Sequence, residues 1–200
     1  MSGSPALGRL FGIGYATKPI QVFLGQLQTY NVDVVADVRS VPYSRAFHDF
    51  NREALIQHLA SINVKYVYLG DELGPRSKVS EHYNETGQVQ FDRLMRSPLF
   101  LKGVDRLKVG LAKGYNIALM CAEKDAAVCH RSLLIGYALK HTLNMELLHI
   151  GFEGDLESQA ALEKRLLAET NTFPDIFTSE AECEALAYKK QTLKMAYKKP

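Results

Sequence analysis

Short apolar runs alternate along this chain with stretches of helical periodicity, and no other feature limits its fold as strongly. Five runs are typical of buried strands, at residues 10–15, 32–38, 64–69, 117–120 and 146–150. Apolar residues at helical spacing follow each run. Strands that alternate with helices form parallel sheets covered on both faces. The sequence therefore predicts one three-layer, Rossmann-like α/β domain over residues 1–200, with a mostly parallel sheet of about five strands and a C-terminal helix near residues 179–197.

The ends of the predicted strands carry polar or conformationally special residues, whereas the strand starts carry no comparable set. These residues are Gly14 and Tyr15, Asp37, Arg39 and Ser40, Asp71 and Glu72, Cys121 and Glu123, and His149. In open parallel sheets the carboxyl ends of the strands lie at one rim, and ligands bind in the crevice outside them. The sequence therefore predicts a binding site at that rim.

The segment after the fourth predicted strand has the most specific pattern, in which Cys121 and Glu123 precede Cys129-His130-Arg131-Ser132. Arg131 offers a bidentate fork for phosphate or carboxylate, and the predicted helix start beside it offers backbone N–H groups. In a second interpretation, Arg131 pairs with Asp37 or Glu123 and ties two strand ends together. The sequence allows both. The candidate ligand-binding residues are Gly14, Tyr15, Arg39, Ser40, Cys129, His130, Arg131 and Ser132.

Four rim residues are candidates for catalysis. Cys121 is either a small core residue or a nucleophile whose thiolate is favoured by a nearby arginine and by helix starts. Asp37 and Glu72 have the chemistry of a general acid and base for a substrate held between the second and third strands. Glu123 can take the same role beside the fourth strand. Strand-end carboxylates also cap helices or pair with arginine, so a purely structural role stays open for each.

Cys121, Cys129 and His130 are also potential soft metal ligands. Zinc sites commonly pair cysteines two to four residues apart. Here the two cysteines are eight residues apart in the sequence and no second Cys-x2-Cys pair accompanies them. His48 or His149 would have to complete such a site. The sequence therefore predicts no metal and no other cofactor.

These motifs resemble those of the domain-of-unknown-function 488 family. The resemblance rests on the segment from Cys121 to Ser132, on Asp37-Val-Arg39-Ser, on Glu72-Leu-Gly74, on Ile13-Gly14-Tyr15 and on Ala196-Tyr197-Lys198, so it covers nearly the whole chain. Ala16 stands where that family often carries Ser or Glu, and no role for that side chain transfers. The resemblance implies an α/β fold of the kind predicted above and implies no particular reaction.

Composition and charge limit the class of partner. A hydrophobic content of 46% and a charged content of 23% are typical of a globular protein, and no apolar run approaches the roughly 20 residues of a membrane span. A net charge of +2 gives no general attraction to nucleic acids or membranes. Residues 1–5 lack the apolar core of a signal peptide, and three cysteines are unlike a disulfide framework. We therefore expect a cytoplasmic protein that does not bind membranes.

Three functions agree with these features. The leading hypothesis is an intracellular enzyme, a candidate hydrolase or transferase, that acts on an anionic, nucleotide-derived small molecule held by Arg39 and Arg131. The second is a nucleic-acid-binding or nucleic-acid-processing module in which C-terminal lysines, from Lys189 to Lys199, contact phosphates. The third is a ligand sensor without catalysis. The oligomeric state does not follow from the sequence.

Overall fold

The computed structural model describes residues 6–199 and contains one six-stranded sheet. The strands are β1 (Leu10–Gly14), β2 (Val34–Asp37), β3 (Lys65–Tyr68), β4 (Ile117–Cys121), β5 (Leu148–Ile150) and β6 (Leu156–Ser158). Their order is β3-β2-β4-β1-β5-β6, and each neighbouring pair is parallel except β5 with β6. The mostly parallel α/β sheet is thus confirmed, with one strand more than predicted.

The extra strand, β6, replaces the start of a predicted helix. The sequence predicts a helix over residues 156–167, whereas Leu156–Ser158 pairs antiparallel with β5 and the helix covers Gln159–Glu169. Ser158 caps this helix, because its hydroxyl accepts a hydrogen bond from the Ala161 N–H at 3.1 Å. A strand of three residues is too short to show an alternating pattern, so periodicity does not detect it.

Eight α-helices lie among the described residues. They are α1 (Ile20–Thr29), α2 (Arg52–Ala60), α3 (Gly70–Leu73), α4 (Phe91–Met95), α5 (Pro98–Ala112), α6 (Tyr137–Leu143), α7 (Gln159–Glu169) and α8 (Glu180–Met195). Short 3-10 turns occur at His48–Phe50, Ser80–His82 and Ala126–Val128, and a π-helical segment, Arg131–Gly136, leads into α6. Single π-helical turns are rare in proteins overall, but many of those that occur lie at functional sites.

The two faces of the sheet are covered by different helices. On one face, α1 and α2 bury Phe23 and Leu59. On the other face, α5, α6 and α7 bury Leu107, Leu139 and Leu166. Complete burial of one such side chain contributes roughly 1.5–3 kcal/mol, so apolar burial on both faces is the main stabilisation of the three layers.

Pro98 begins a helix instead of interrupting one. The sequence predicts a helical region that starts near Leu94 and is broken at Pro98. In the structure α4 ends at Met95 and α5 begins at Pro98, after the N-cap Ser97, whose hydroxyl accepts a hydrogen bond from the Phe100 N–H at 3.2 Å. Proline is favoured at this first position because its missing N–H would have no partner there.

The segment after β3, predicted as a long loop over residues 70–90, opens with the short helix α3. This helix packs closely on α5 at Gly103. A Cβ atom at position 103 would lie 2.7 Å from the Glu72 Cβ and 2.8 Å from the Leu73 side chain. The close contact fixes the start of the loop that continues to Arg76.

The C-terminal helix has the predicted start. Ser179 and Glu182 form a capping box, in which the Ser179 hydroxyl accepts from the Glu182 N–H and the Glu182 carboxylate accepts from the Ser179 N–H. No helix among residues 6–199 is both long and apolar enough to cross a membrane. Residues 1–5, for which the sequence predicts no signal peptide, lie outside the described residues.

We expect Gly25→Ala to stabilise the protein. Gly25 lies inside α1, and a Cβ atom there would meet nothing within 4 Å. Because alanine restricts the unfolded chain and favours helix, the free energy of unfolding should rise by about 0.5–1 kcal/mol. Gly103→Ala is the matched control and should lower it, because of the contacts with α3. A thermal melt measures both, and a lower melting temperature for Gly25→Ala would contradict the prediction.

Candidate functional site

The carboxyl end of β4 lies between those of β1 and β2. Cys121 is in register with Gly14, and Met120 is in register with Asp37. The chain that leaves β1 and β2 enters helices on one face of the sheet, whereas the chain that leaves β4 enters α6 on the other face. Where neighbouring connections diverge in this way, a crevice forms outside the strand ends.

A cavity of about 400 Å³ opens at this crevice. We call it the rim cleft, and its polar lining includes Tyr15, Arg39, Ser40, Arg76, Glu123 and His130. Its volume is within the range of small-molecule sites. All but one of these six residues are candidates from the sequence, so the structure brings residues that follow β1, β2 and β4 together around one cavity.

Arg39 is held in the wall of the rim cleft by Asp37. Its guanidinium donates to the two Asp37 carboxylate oxygens, at 2.9 Å from Nε and 2.6 Å from Nη2, and Nη1 donates to the Tyr15 hydroxyl at 3.1 Å. The Tyr66 hydroxyl also donates to Asp37, at 2.8 Å. Burial acts to lower the pKa of Arg39, but the Asp37 carboxylate raises that pKa above its ordinary value. Asp37 is itself buried, so its contact with the cleft is through Arg39.

Arg131 is turned away from solvent and is only 1% exposed. Its Nη1 donates to the Cys121 sulfur at 2.8 Å and to the Glu123 carbonyl at 2.7 Å, and its Nη2 donates to the Lys124 carbonyl at 3.4 Å. Burial lowers the pKa of Arg131 to about 10. Arg131 therefore ties the end of β4 to the loop that follows. Its partners are a sulfur atom and backbone carbonyls, and not the carboxylates of Asp37 or Glu123.

Cys121, Glu123, Cys129 and His130 form a compact group that we call the cysteine–histidine cluster. Their donor atoms lie within 4.8 Å of one another, so these four side chains are a group, among the described residues, that could hold a metal ion. The two sulfur atoms are in contact, and the Cys129 thiol donates to the Glu123 carboxylate at 3.1 Å. Both cysteines are buried, whereas Glu123 is exposed. Burial lowers the pKa of His130.

Two further predicted residues, Gly14 and Ser132, do not line the rim cleft. A Cβ atom at Gly14 would lie 1.9 Å from the Glu123 carbonyl oxygen, so only glycine lets this loop approach β1. Ser132 is fully buried, and its hydroxyl has no hydrogen-bond partner among the described residues. Glu72 is not brought to the rim cleft. It forms an ion pair with Arg106 of α5. This contact agrees with the purely structural role that the sequence also allowed for strand-end carboxylates.

Arg76 lines the rim cleft, but sequence reasoning gave it no role. Its guanidinium lies 4.8 Å from the centre of the Tyr197 ring, in a cation–π contact that fixes it beside the cleft. The one available signal was a charged residue directly after Gly74-Pro75, in a long loop that follows a strand. The same contact places the C-terminal segment, with its predicted basic character, next to the cleft.

Two larger cavities lie elsewhere. One of about 660 Å³ lies between β2, β3 and α5, has a mainly aliphatic lining, and involves none of the predicted site residues among its described lining. The other, of about 1010 Å³, lies on the side of Arg131 that faces β5 and β6, and His149 and Arg165 line it. The rim cleft is therefore lined by more of the predicted site residues, five of them, than either of the two larger cavities.

The fold and the site define a Rossmann-like α/β protein with a charged cleft at the carboxyl rim of its sheet. The model of a family described as "Domain of unknown function DUF488" matches residues 19–138, which is more than half of the chain. The chain belongs to this family, as its motifs predicted. The match includes Asp37, Arg39 and the whole cysteine–histidine cluster, whereas Gly14 and Tyr15 precede it. No curated protein and no solved structure matches the chain at a significant level.

His149, the middle residue of β5, is buried beside Arg131. Its Nε2–H donates to the Gln159 side-chain oxygen at 2.8 Å, and its Nδ1 has no hydrogen-bond partner among residues 6–199. A Cβ atom at Gly12 would lie 2.7 Å from that Nδ1, so glycine makes room for the ring. Burial, reinforced by the positive charge of Arg131, lowers the pKa of His149 to about 3.

We expect His149 to destabilise the protein in acid. Between pH 6.5 and about 3 the unfolded chain protonates this histidine while the folded chain keeps it neutral. The stability it contributes is complete above pH 6.5 and falls as the pH decreases, by up to about 1.4 kcal/mol per pH unit. Urea unfolding from pH 7 to pH 4 should show a smaller loss for His149→Gln than for the wild type. His48→Gln, at an exposed histidine, is the control, and equal losses in all three proteins would refute the prediction.

Proposed function

We propose that this protein is an enzyme, a hydrolase or transferase, that acts on an anionic, nucleotide-derived small molecule bound in the rim cleft. The supporting observation is that two guanidinium groups, a carboxylate and an imidazole line a single cavity. They belong to Arg39, Arg76, Glu123 and His130. Cationic groups can hold the anion of a phosphate or carboxylate compound, and a neighbouring carboxylate or imidazole can transfer protons to or from it.

The anion would be held by Arg39 and Arg76. Arg39 is preorganised, because Asp37 fixes its guanidinium with two hydrogen bonds. Asp37 also offsets most of the charge of Arg39, so Arg76 supplies the larger share of the positive potential. Arg76 is exposed, stacks on Tyr197 and lines the cleft. In this proposal Arg76 takes the place that the sequence suggested for Arg131, whose donors are engaged inside the protein.

Proton transfer is assigned to Glu123. Its carboxylate is exposed, lines the rim cleft and accepts a hydrogen bond from the Cys129 thiol. Cys121, the nucleophile suggested by the sequence, is fully buried behind this carboxylate and does not line the cleft. The geometry therefore favours a reaction in which Glu123 acts as acid or base on the bound molecule and Cys121 stays in a supporting position.

The nucleotide character of the ligand is proposed from the cleft's aromatic wall. Tyr43 lines the rim cleft and is 52% exposed, so one face of its ring is accessible. Rings of this kind stack on nucleobases, at about 1–3 kcal/mol per base. AMP combines a phosphate for the two arginines with a base for Tyr43 and is the probe we choose.

AMP should stabilise the wild-type protein in a thermal-shift assay. At about 100 times its Kd it adds about 2.7 kcal/mol to the free energy of unfolding. Arg76→Ala should weaken AMP binding by roughly 10- to 100-fold, because a charge-assisted hydrogen bond contributes about 1.5–3 kcal/mol. Lys78→Ala, which removes a 94% exposed lysine two residues away, is the matched control and should bind AMP normally.

Chromatography of AMP incubated with the protein tests catalysis. The wild type should convert AMP, and Glu123→Gln should keep AMP binding while losing turnover. Binding without turnover in the wild type would replace the enzyme by a ligand sensor. If only short oligonucleotides stabilise the protein and Arg76→Ala does not change this effect, the enzyme hypothesis would be replaced by that of a nucleic-acid-binding module.

A further inference from the structure

The cysteine–histidine cluster joins two soft ligands and two harder ones in a small volume. Cys121 ends β4, Glu123 lies in the next turn, and Cys129 and His130 immediately precede the π-helical segment. Four donor atoms bound to one ion at about 2.0–2.3 Å in tetrahedral geometry lie roughly 3.3–3.8 Å from one another. The four donors here lie within 4.8 Å of one another. Side-chain rotations that separate the two sulfur atoms would therefore complete a coordination shell around one ion.

The backbone at the two cysteines is unsuited to a disulfide. The Cα atoms of Cys121 and Cys129 are 7.7 Å apart. Disulfides usually join Cα atoms about 4.4–6.8 Å apart, and a separation above about 7 Å requires the backbone to move. Two thiolates that share one metal ion stand further apart, since the ion lies between the sulfurs. The Cα separation therefore exceeds the usual span of a disulfide, and joint ligation would require the two sulfur atoms, which are in contact in this structure, to move apart.

The ring of His130 is held in the orientation and tautomer that metal ligation requires. Its Nε2 lies 2.9 Å from the Val38 carbonyl oxygen, which can only accept, so Nε2 carries the proton. The lone pair is therefore on Nδ1, the atom that faces the Cys129 sulfur at 3.9 Å. Histidines that bind metals almost always donate their other N–H to a carbonyl or carboxylate in this way.

In its thiolate form the cluster would also need a cation to balance its charges. Arg131 brings one buried positive charge, and its Nη1 lies 2.8 Å from the Cys121 sulfur. The Arg131 backbone N–H approaches the Cys129 sulfur at 3.4 Å. Two thiolates and the Glu123 carboxylate together carry three negative charges. A divalent cation and the Arg131 guanidinium neutralise them completely, which makes the burial of both sulfurs energetically acceptable.

We propose that Cys121, Cys129, His130 and Glu123 bind one divalent cation of the zinc class. Thiolate and imidazole ligands select such ions over magnesium or calcium. The sequence contains no zinc signature because it lacks a close cysteine pair, whereas the fold brings together two cysteines that are eight residues apart. Glu123 is the exposed ligand and also lines the rim cleft, so the ion would lie at the floor of that cleft. The proposal does not depend on the enzymatic function proposed above.

Cobalt titration of the reduced, full-length wild type tests the site directly. Co²⁺ bound to thiolates in tetrahedral geometry gives a sulfur-to-cobalt charge-transfer band and intense visible bands. We expect both bands to reach saturation at one equivalent per chain and to disappear when Zn²⁺ is added. Their absence from the reduced wild type would overturn the proposal, and this result requires no variant to fold.

Variants identify the ligands. Cys129→Ser and His130→Ala should lose the tetrahedral cobalt spectrum. Glu123→Gln should weaken Co²⁺ binding by at least about tenfold, because the loss of even an outer-shell partner of a metal ligand typically lowers metal affinity by that factor. Cys183→Ser is the matched control, because Cys183 is a buried cysteine of α8 outside the cluster, and it should bind Co²⁺ like the wild type. Circular dichroism verifies that each variant is folded.

The outcomes separate this proposal from the proposed function. A folded Cys129→Ser protein that keeps the full cobalt spectrum would overturn the metal site, whatever AMP does. A wild-type cobalt spectrum lost in Cys129→Ser and kept in Cys183→Ser would support it, even if AMP neither binds nor reacts.

Discussion

The contact between the Arg131 guanidinium and the Cys121 sulfur is the interaction on which the rest of the site depends. A guanidinium that is 1% exposed has lost its hydration, so the hydrogen bonds that its donors make inside the protein offset part of the cost of burial. Here Nη1 and Nη2 donate to Cys121 and to the carbonyls of Glu123 and Lys124, whereas Nε has no hydrogen-bond partner among the described residues. One side chain thereby fixes the end of the central strand β4 and the turn that follows it. The cysteine serves as the polarisable partner that the buried cation requires.

From this anchored turn, further contacts extend to the neighbouring strands. His130 donates to the carbonyl that follows β2, and Gly14 lets the Glu123 backbone pack against β1. Beyond them, Asp37 holds Arg39 at the cleft wall. The loop after β4 is thus braced on both sides, which gives the rim cleft a rigid floor. Rigid support of this kind is what keeps binding groups within the narrow tolerances of a functional site.

The arrangement of the ligand atoms changes with depth. Two sulfur atoms lie buried at the bottom, the Glu123 carboxylate lies at the opening, and the guanidinium groups of Arg39 and Arg76 lie around the cleft above it. A soft cation at the bottom and an anion above it would occupy adjacent sites that share Glu123. The two proposals therefore describe one continuous site, although each stands on its own observations.

Local patterns in the sequence determined the five parallel strands, the start of α8 at Ser179 and the set of residues at the carboxyl rim, because periodicity and capping depend on near neighbours in the chain. Tertiary structure alone decided the order β3-β2-β4-β1-β5-β6, and with it which rim residues meet. It directed Glu72 to Arg106 and brought Arg76 into the cleft through the packing of α3 and Tyr197. It also closed the eight-residue separation between Cys121 and Cys129. Such contacts join distant parts of the chain, and their free energy comes from burial and charge that no local pattern records.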